Sequence, residues 1–393
     1  MKREHSPLRS SACCLSLPPE TIESLNSPSM NQTIDRMLDL TIQIQQIPSP
    51  TFDEKSRAEF VHSLFLRENL ANVSTDSLHN VFGKISGTGR SKPLIISAHL
   101  DTVFPHGTDL YYTREETRIY GPGIGDNSLG VAALIGLLWL IRESKLEYPG
   151  DIWLVANVGE EGLGDLRGMR AVADRFGGEV RAYLVLEGTS LGHIYHRGVA
   201  VRRYRVTART EGGHSWSDYG RPSAVHELAH FVTDITSLPT PTSPRTTLNV
   251  GVISGGTGVN VVAASATLEL DLRSEDSAAL HSLIGQIEAK IRAANRPGVK
   301  VDMESIGDRP AGELPANHPL VKLAEACLSE LSLEPTSTAG STDANLPLSL
   351  GYPALVLGIT TGGSAHTVHE YIEVGPVETG MQQLLYFVTR LWG

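Results

Sequence analysis

The chain has 393 residues, 40% apolar, 20% charged and 6% aromatic, enough to bury a large core and too apolar for a mainly disordered chain. Acidic residues outnumber basic ones 44 to 33, giving a net charge of −11, which argues against a nucleic-acid partner that needs clustered Lys and Arg. Three cysteines, two of them the adjacent Cys13 and Cys14, exclude a disulfide framework and supply no CxxC pair, so any metal would be held by histidines and carboxylates.

Residues 1–30 are polar and carry basic residues but no apolar run of the roughly 7–15 residues a signal peptide needs, and they read as a poorly ordered extension. Helical spacing of apolar residues follows over Ile34–Ile44, ended by Pro48-Ser49-Pro50, and again over Glu54–Asn69. Three short runs rich in β-branched residues come next, Leu94–Ala98, Ile152–Val158 and Ala182–Leu186, with an apolar helix over Leu129–Glu143 between the first two. Its longest apolar run, Val131–Ile141, is about half a membrane span and contains Gly136, so no membrane partner is expected. Free cysteines without an export signal point to the cytoplasm.

The middle of the chain alternates differently. Strands fit Val199–Arg209, Thr247–Ile253, Ala266–Leu272 and Val299–Ser305, with helices over Ser223–Ile235 and Ala278–Ala293. That order, β-α-β-β-α-β, is the ferredoxin-like pattern, flanked by Gly192–Gly198 and Gly307–Gly312 as joints. A fourth buried run, Ala354–Leu357, and a helix over Glu378–Leu391 close the chain. The expected fold is α/β, a mainly parallel sheet covered by helices, with an inserted α+β module. The boundaries are 31–197 and 309–393 for the two parts of the sheet domain, and 198–308 for the insertion.

Each buried strand of the sheet domain runs into acid or imidazole: His99 and Asp101, then Glu160 and Glu161, then Glu187, and finally His366. In an open α/β sheet the ligand site lies outside the carboxyl ends of the strands, so these groups meet at one rim, joined by Asp126 from a Gly-rich loop. Adjacent Glu160 and Glu161 would repel unless a cation sits nearby. Two imidazoles and several carboxylates suit zinc, with manganese or cobalt also allowed by ligand type.

The strings SAHLDTV, GPGIGDNSLG, VGEEG, LEG, GGHSW, GGTGVNVV with DLR, and AHTVHE, in this order over residues 97–370, resemble the M20-type di-zinc exopeptidases and amidohydrolases. The resemblance implies two Zn2+ per subunit: His99 and Glu187 on one, Glu161 and His366 on the other, and Asp126 bridging. It makes Asp101 the residue that orients His99 and Glu160 the general base. It implies a homodimer through the inserted domain, with His214 reaching the partner subunit's site to stabilise an oxyanion. Asn260, Arg273 and Asp343 match substrate-side positions, Arg273 as the grip on a substrate carboxylate. Asn127 and His369 depart from the family pattern and stand where they could alter substrate preference. Glu187, rather than Asp, accompanies carboxypeptidases and deacylases in the family. The expected activity is hydrolysis of an amide bond in a small peptide or N-acyl amino acid.

Two other readings stand beside this one. A catalytically silent relative would bind peptides or serve as a subunit. His226-Glu-Leu-Ala-His230 is a literal HExxH, the signature of a different zinc peptidase class. On a helix, Val225, Leu228, Ala229 and Val232 would form its apolar stripe, leaving His226, Glu227 and His230 to solvent. No His, Cys or Glu follows between Phe231 and Leu268 to supply a third ligand.

Overall fold

The computed structural model describes residues 28–144 and 147–392. Of the expected N-terminal extension, residues 1–27 lie outside the described residues, and Pro28–Met30 already belong to the first helix.

The sheet domain opens with α1 (Pro28–Gln45), α2 (Lys55–Arg67), β1 (Ala71–Thr75), β2 (Val81–Ile85) and β3 (Leu94–His99). It continues with α3 (Gly130–Ser144), β4 (Ile152–Asn157), α4 (Arg167–Phe176), β5 (Ala182–Glu187) and β6 (His193–Gly198). The insertion holds β7 (Ala200–Thr210), α5 (Ala224–Thr236), β8 (Thr246–Gly255), β9 (Ser265–Ser274), α6 (Ser277–Ala294) and β10 (Val299–Arg309). The chain returns through α7 (Pro319–Glu330), β11 (Thr336–Gly340), β12 (Ala354–Gly358) and α8 (Pro376–Arg390).

Among the described residues the main sheet has eight strands in the order β1-β2-β4-β3-β5-β12-β6-β11. The central run β4-β3-β5-β12 is parallel throughout, whereas β2 joins β4 and β6 joins β12 antiparallel. These central strands are the ones whose residues are apolar on both faces, because helices cover both sides. Helix α3 is apolar all round and buried, packed on α1, β3 and α8. The run Ile124–Ser144 is long and apolar enough to cross a membrane, yet 94% of its apolar window is buried inside the protein, as a core helix must be. Gly136 has a packing role: a Cβ there would stand 2.5 Å from Met37 Sδ, so its absence lets α1 lie close against α3.

The insertion is a four-stranded antiparallel sheet, β8-β9-β7-β10, covered by α5 and α6 and enclosing its own apolar cluster. Three expectations change here. Gly192–Gly198 is not a joint: His193–Gly198 is β6, with Ile194 and His196 buried at alternate positions in the main sheet. Gly307 lies inside β10 at a register shift after Ser305, so it marks a bulge rather than a linker. The buried stripe of α5 is Ala224, Leu228, Phe231 and Ile235, while Val225 and Ala229 are exposed. The helix is rotated from the expected stripe because Phe231 and Ile235 offer more apolar area than Val225 and Ala229.

Candidate metal centre and substrate cleft

His99 ends β3 and is 1% exposed. Its Nδ1 lies 3.0 Å from the Asp101 carbonyl oxygen, which only accepts, so Nδ1 donates and Nε2 of the neutral ring keeps its lone pair. That Nε2 faces Asp126 Oδ1 at 3.1 Å and Glu187 Oε2 at 3.8 Å. On the other side, His366 Nε2 lies 3.0 Å from Asp126 Oδ2 and 3.2 Å from Glu161 Oε1. One carboxylate therefore stands between two imidazoles, and each imidazole has a second carboxylate of its own. Ligand-type atoms of His99, Asp126 and Glu187 lie within 4.8 Å of one another, as do those of Asp126, Glu161 and His366, and those of His99, Glu160 and Glu161.

Backbone geometry builds this rim. The Asp101 carboxylate accepts the N–H groups of Glu160 at 3.0 Å and Glu161 at 2.8 Å and the Thr51 hydroxyl at 3.0 Å, fixing the turn after β4 to the end of β3. Asn127 is buried, donates to the Leu186 carbonyl at 2.8 Å and accepts the Gly188 N–H at 2.9 Å. It joins the Asp126 loop to the end of β5, so its departure from the family pattern is met inside the fold, away from the cleft surface. Gly188 permits that approach, since a Cβ there would stand 2.0 Å from the Gly125 carbonyl oxygen.

Burial pushes the Glu161 and Glu187 carboxyls up to about 7, with neighbouring carboxylates adding to the effect and the histidines opposing it. Hydrogen bonds donated by its ring to the Asp126 and Glu161 carboxylates raise His366 to about 10 against its partial burial. Burial works against a charged His99, yet Asp101, Asp126 and Glu187 outweigh it and lift its pKa well above the ordinary value. The cluster is thus short of positive charge, and its hard oxygen and imidazole donors fit divalent cations.

The cleft around the cluster measures 460 Å³ and is lined by the metal-type residues, by Tyr195 and Gly340–Thr342, and by three arginines. Arg273 lies opposite its own strand neighbour Asp271, with Nε 2.6 Å from Oδ1 and Nη2 3.2 Å from Oδ2. Arg203, paired with Asp271 across β7 and β9, donates to Oδ2 at 2.9 Å. Two guanidinium groups thus share one carboxylate at the cleft wall. A second cavity of 290 Å³ shares Arg273, Gly340 and Ser341 with the first.

Three expected residues are elsewhere. Asp343 is fully buried behind the Gly340–Thr342 loop, where its Oδ2 accepts from Asn157 Nδ2 at 2.7 Å. Burial and the Glu160 charge hold its carboxyl well above the usual range. His214 and Asn260 are exposed and do not line the cleft of their own chain. The His214 ring accepts the Trp216 N–H at 3.2 Å on Nδ1, and Trp216 and Tyr219 beside it are 86% and 92% exposed. His369 is also exposed and does not line the cleft.

Two residues without a sequence signal matter here. Glu370 is buried and accepts the N–H groups of Gly123 at 3.0 Å and of Gly125 and Asp126 at 2.8 Å. It lies within AHTVHE, but nothing in that string says its partners are backbone amides. Burial still pushes its carboxyl up to about 7. Arg309, the last residue of β10, is buried, with Nη1 3.0 Å from Glu160 Oε1. Burial opposes its charge, but Glu160, Asp343 and Glu161 raise its pKa above the ordinary value.

The HExxH string forms no such site. His226 and His230 are exposed, and Glu227 is held by Arg296 at 2.7 Å. Among the described residues no metal-type cluster includes them. The chain also carries a G-x-S-x-G string, Gly188-Thr-Ser190-Leu-Gly192, the pattern of a serine nucleophile elbow, but its geometry does not fit that role. A strand follows it where a nucleophile elbow needs a helix, and Ser190 Oγ meets the Tyr195 hydroxyl at 3.4 Å, with no imidazole bond.

The model for the peptidase family M20/M25/M40 matches residues 95–390. A peptidase M20 domain-containing protein of Schizosaccharomyces pombe is 29% identical over 266 residues, 65% of this chain and 64% of that protein, so the match spans just under two thirds of that relative. An acetylornithine deacetylase of Proteus mirabilis is 27% identical over 312 residues, 75% of this chain and 77% of that protein. The crystal structure of a tripeptidase from Staphylococcus aureus superimposes with a TM-score of 0.78 at 21% identity, covering 91% of this chain and 98% of that one.

Proposed function

The chain belongs to the peptidase family M20/M25/M40 and is a hydrolase, and from that premise we propose a cytoplasmic, homodimeric two-metal enzyme that cleaves an amide bond in a small peptide or N-acyl amino acid. The observation that carries this reading is the position of Asp126, with its two oxygens 3.1 and 3.0 Å from two different imidazoles. His99 and Glu187 would hold one ion, Glu161 and His366 the other, and Asp126 both, with zinc as the native metal. When bound, the ions would supply Lewis acidity, lowering the pKa of a bound water and polarising the amide carbonyl.

The chain's own residues do the rest. Asp101 fixes the His99 tautomer through the main chain and holds the turn bearing both glutamates. Glu160 takes a proton from the attacking water and delivers it to the leaving nitrogen. Arg273 would exchange part of its bond with Asp271 for a substrate carboxylate, a bidentate match. His214, exposed and away from its own cleft, would donate to the oxyanion in the partner subunit, with Asn260 nearby.

The test is an assay of the metal-loaded protein on di- and tripeptides and N-acyl amino acids, each with a free or an amidated carboxyl end. Turnover of the free acids, abolished by a chelator and restored by Zn2+, Mn2+ or Co2+, is the expected result. A chelator-resistant activity would rule the reading out. Peptide binding with no turnover under any metal would favour a silent relative.

A further inference from the structure

Glu160 and Glu161 are neighbours in one turn, and the structure gives both a path to a cation. The Glu160 carboxylate clusters with His99 and Glu161 within the same 4.8 Å that defines the other two ligand-type groups. A second glutamate that ligates would no longer be available to move protons. Something has to hold the two side chains in different roles.

We infer that Arg309 is the positioning residue that reserves Glu160 for proton transfer by fixing its side chain and occupying one of its carboxylate oxygens, an inference that rests on Glu160 being the base. Arg309 Nη1 donates to Glu160 Oε1 at 3.0 Å and to Ser341 Oγ at 3.2 Å. Its Nη2 donates to the carbonyl oxygen of the same Glu160 and reaches the Gly162 carbonyl at 3.4 Å. One planar guanidinium thus grips Glu160 at its carboxylate and at its main chain, which fixes the intervening rotamers. Both side chains are almost out of solvent, at 5% and 8% exposed, so water competes little for the pair. Glu161 has no such clamp, and its Oε1 is turned to His366 at 3.2 Å. Arg309 holds one carboxylate oxygen of Glu160, a residue that lines the cleft, and leaves the other for proton transfer. The clamp comes from the end of β10, so the inserted module supplies the residue that separates the two glutamates.

The test is a double-mutant cycle on the full-length, metal-loaded chain, using Arg309→Met and Glu160→Gln. Arg309→Met should lower kcat about 10²-fold, the scale of a misplaced catalytic group, with KM changed by less than about threefold. In the Glu160→Gln background the same change should cost less than about threefold, because Arg309 acts through the carboxylate already removed. The Co2+-substituted protein gives an independent readout: Arg309→Met should alter the visible d–d bands as Glu160 swings onto the metal, and the double variant should not show that alteration. Equal losses in both backgrounds, with unchanged cobalt spectra, would overturn the inference. Full turnover by Glu160→Gln would instead remove the reading beneath it. If Arg309→Met lacks a cooperative unfolding transition, Arg309→Lys, which keeps one donor cation, takes its place with a smaller loss expected in the same pattern.

Discussion

Glu161 and Glu187 are held near 7 by burial, and His366 near 10 by its two carboxylate partners, so protons and metal ions compete for the same atoms. Bound metal needs all three groups unprotonated, so affinity should rise with pH and binding should release protons. The stability of the metal-free protein follows with its own sign. An unfolded chain gives up Glu and His protons near about 4.3 and 6.5, whereas the folded cluster keeps them to higher pH. The folded state then binds more protons than the unfolded one, and its stability falls as pH rises from about 4.3 toward 10. Calorimetry with and without chelator should show the stripped protein losing thermal stability between pH 6 and 9 faster than the loaded protein. Parallel pH slopes would contradict this picture of the cluster.

At the scale of elements, the parallel strands and their terminal residues were legible in the sequence because they are apolar on both faces and end in an ionisable group. His99, Glu160, Glu161 and Glu187 could therefore be placed on one rim from β3, β4 and β5 alone. The outer strands were not legible: β6, next to the edge strand β11, is bounded by glycines, and the β1–β2 hairpin is half-exposed. Glu370 and Arg309 were missed for another reason, since their partners are backbone atoms and a residue far along the chain. The loop bearing Asp126 hangs on three N–H bonds to Glu370, next to the His366 segment. Glu370→Ala should free those amides and weaken metal affinity about 10–100-fold, as loss of supporting contacts around ligands does. Competition with a chromophoric chelator measures it, and unchanged affinity would mean that the loop holds itself.

At the scale of the molecule, the cleft lies between the rim of the main sheet and the arginines of the inserted sheet, yet His214 is exposed and does not line it. Its surroundings expose Trp216, Tyr219 and Val259, a surface suited to a second copy of the chain. Mixing His214→Ala subunits with Glu160→Gln subunits, each nearly inactive alone, should restore part of the activity. One site of the hybrid dimer then combines an intact Glu160 with the partner subunit's His214. Absence of recovery in a verified hybrid would assign His214 a different role.

The most direct measurement is metal content and turnover of Glu160→Gln side by side. The variant should bind two equivalents of metal as the unaltered chain does and lose about 10²–10⁴-fold in turnover, the range of a missing general base. Turnover at the original level with both metals bound would contradict the account.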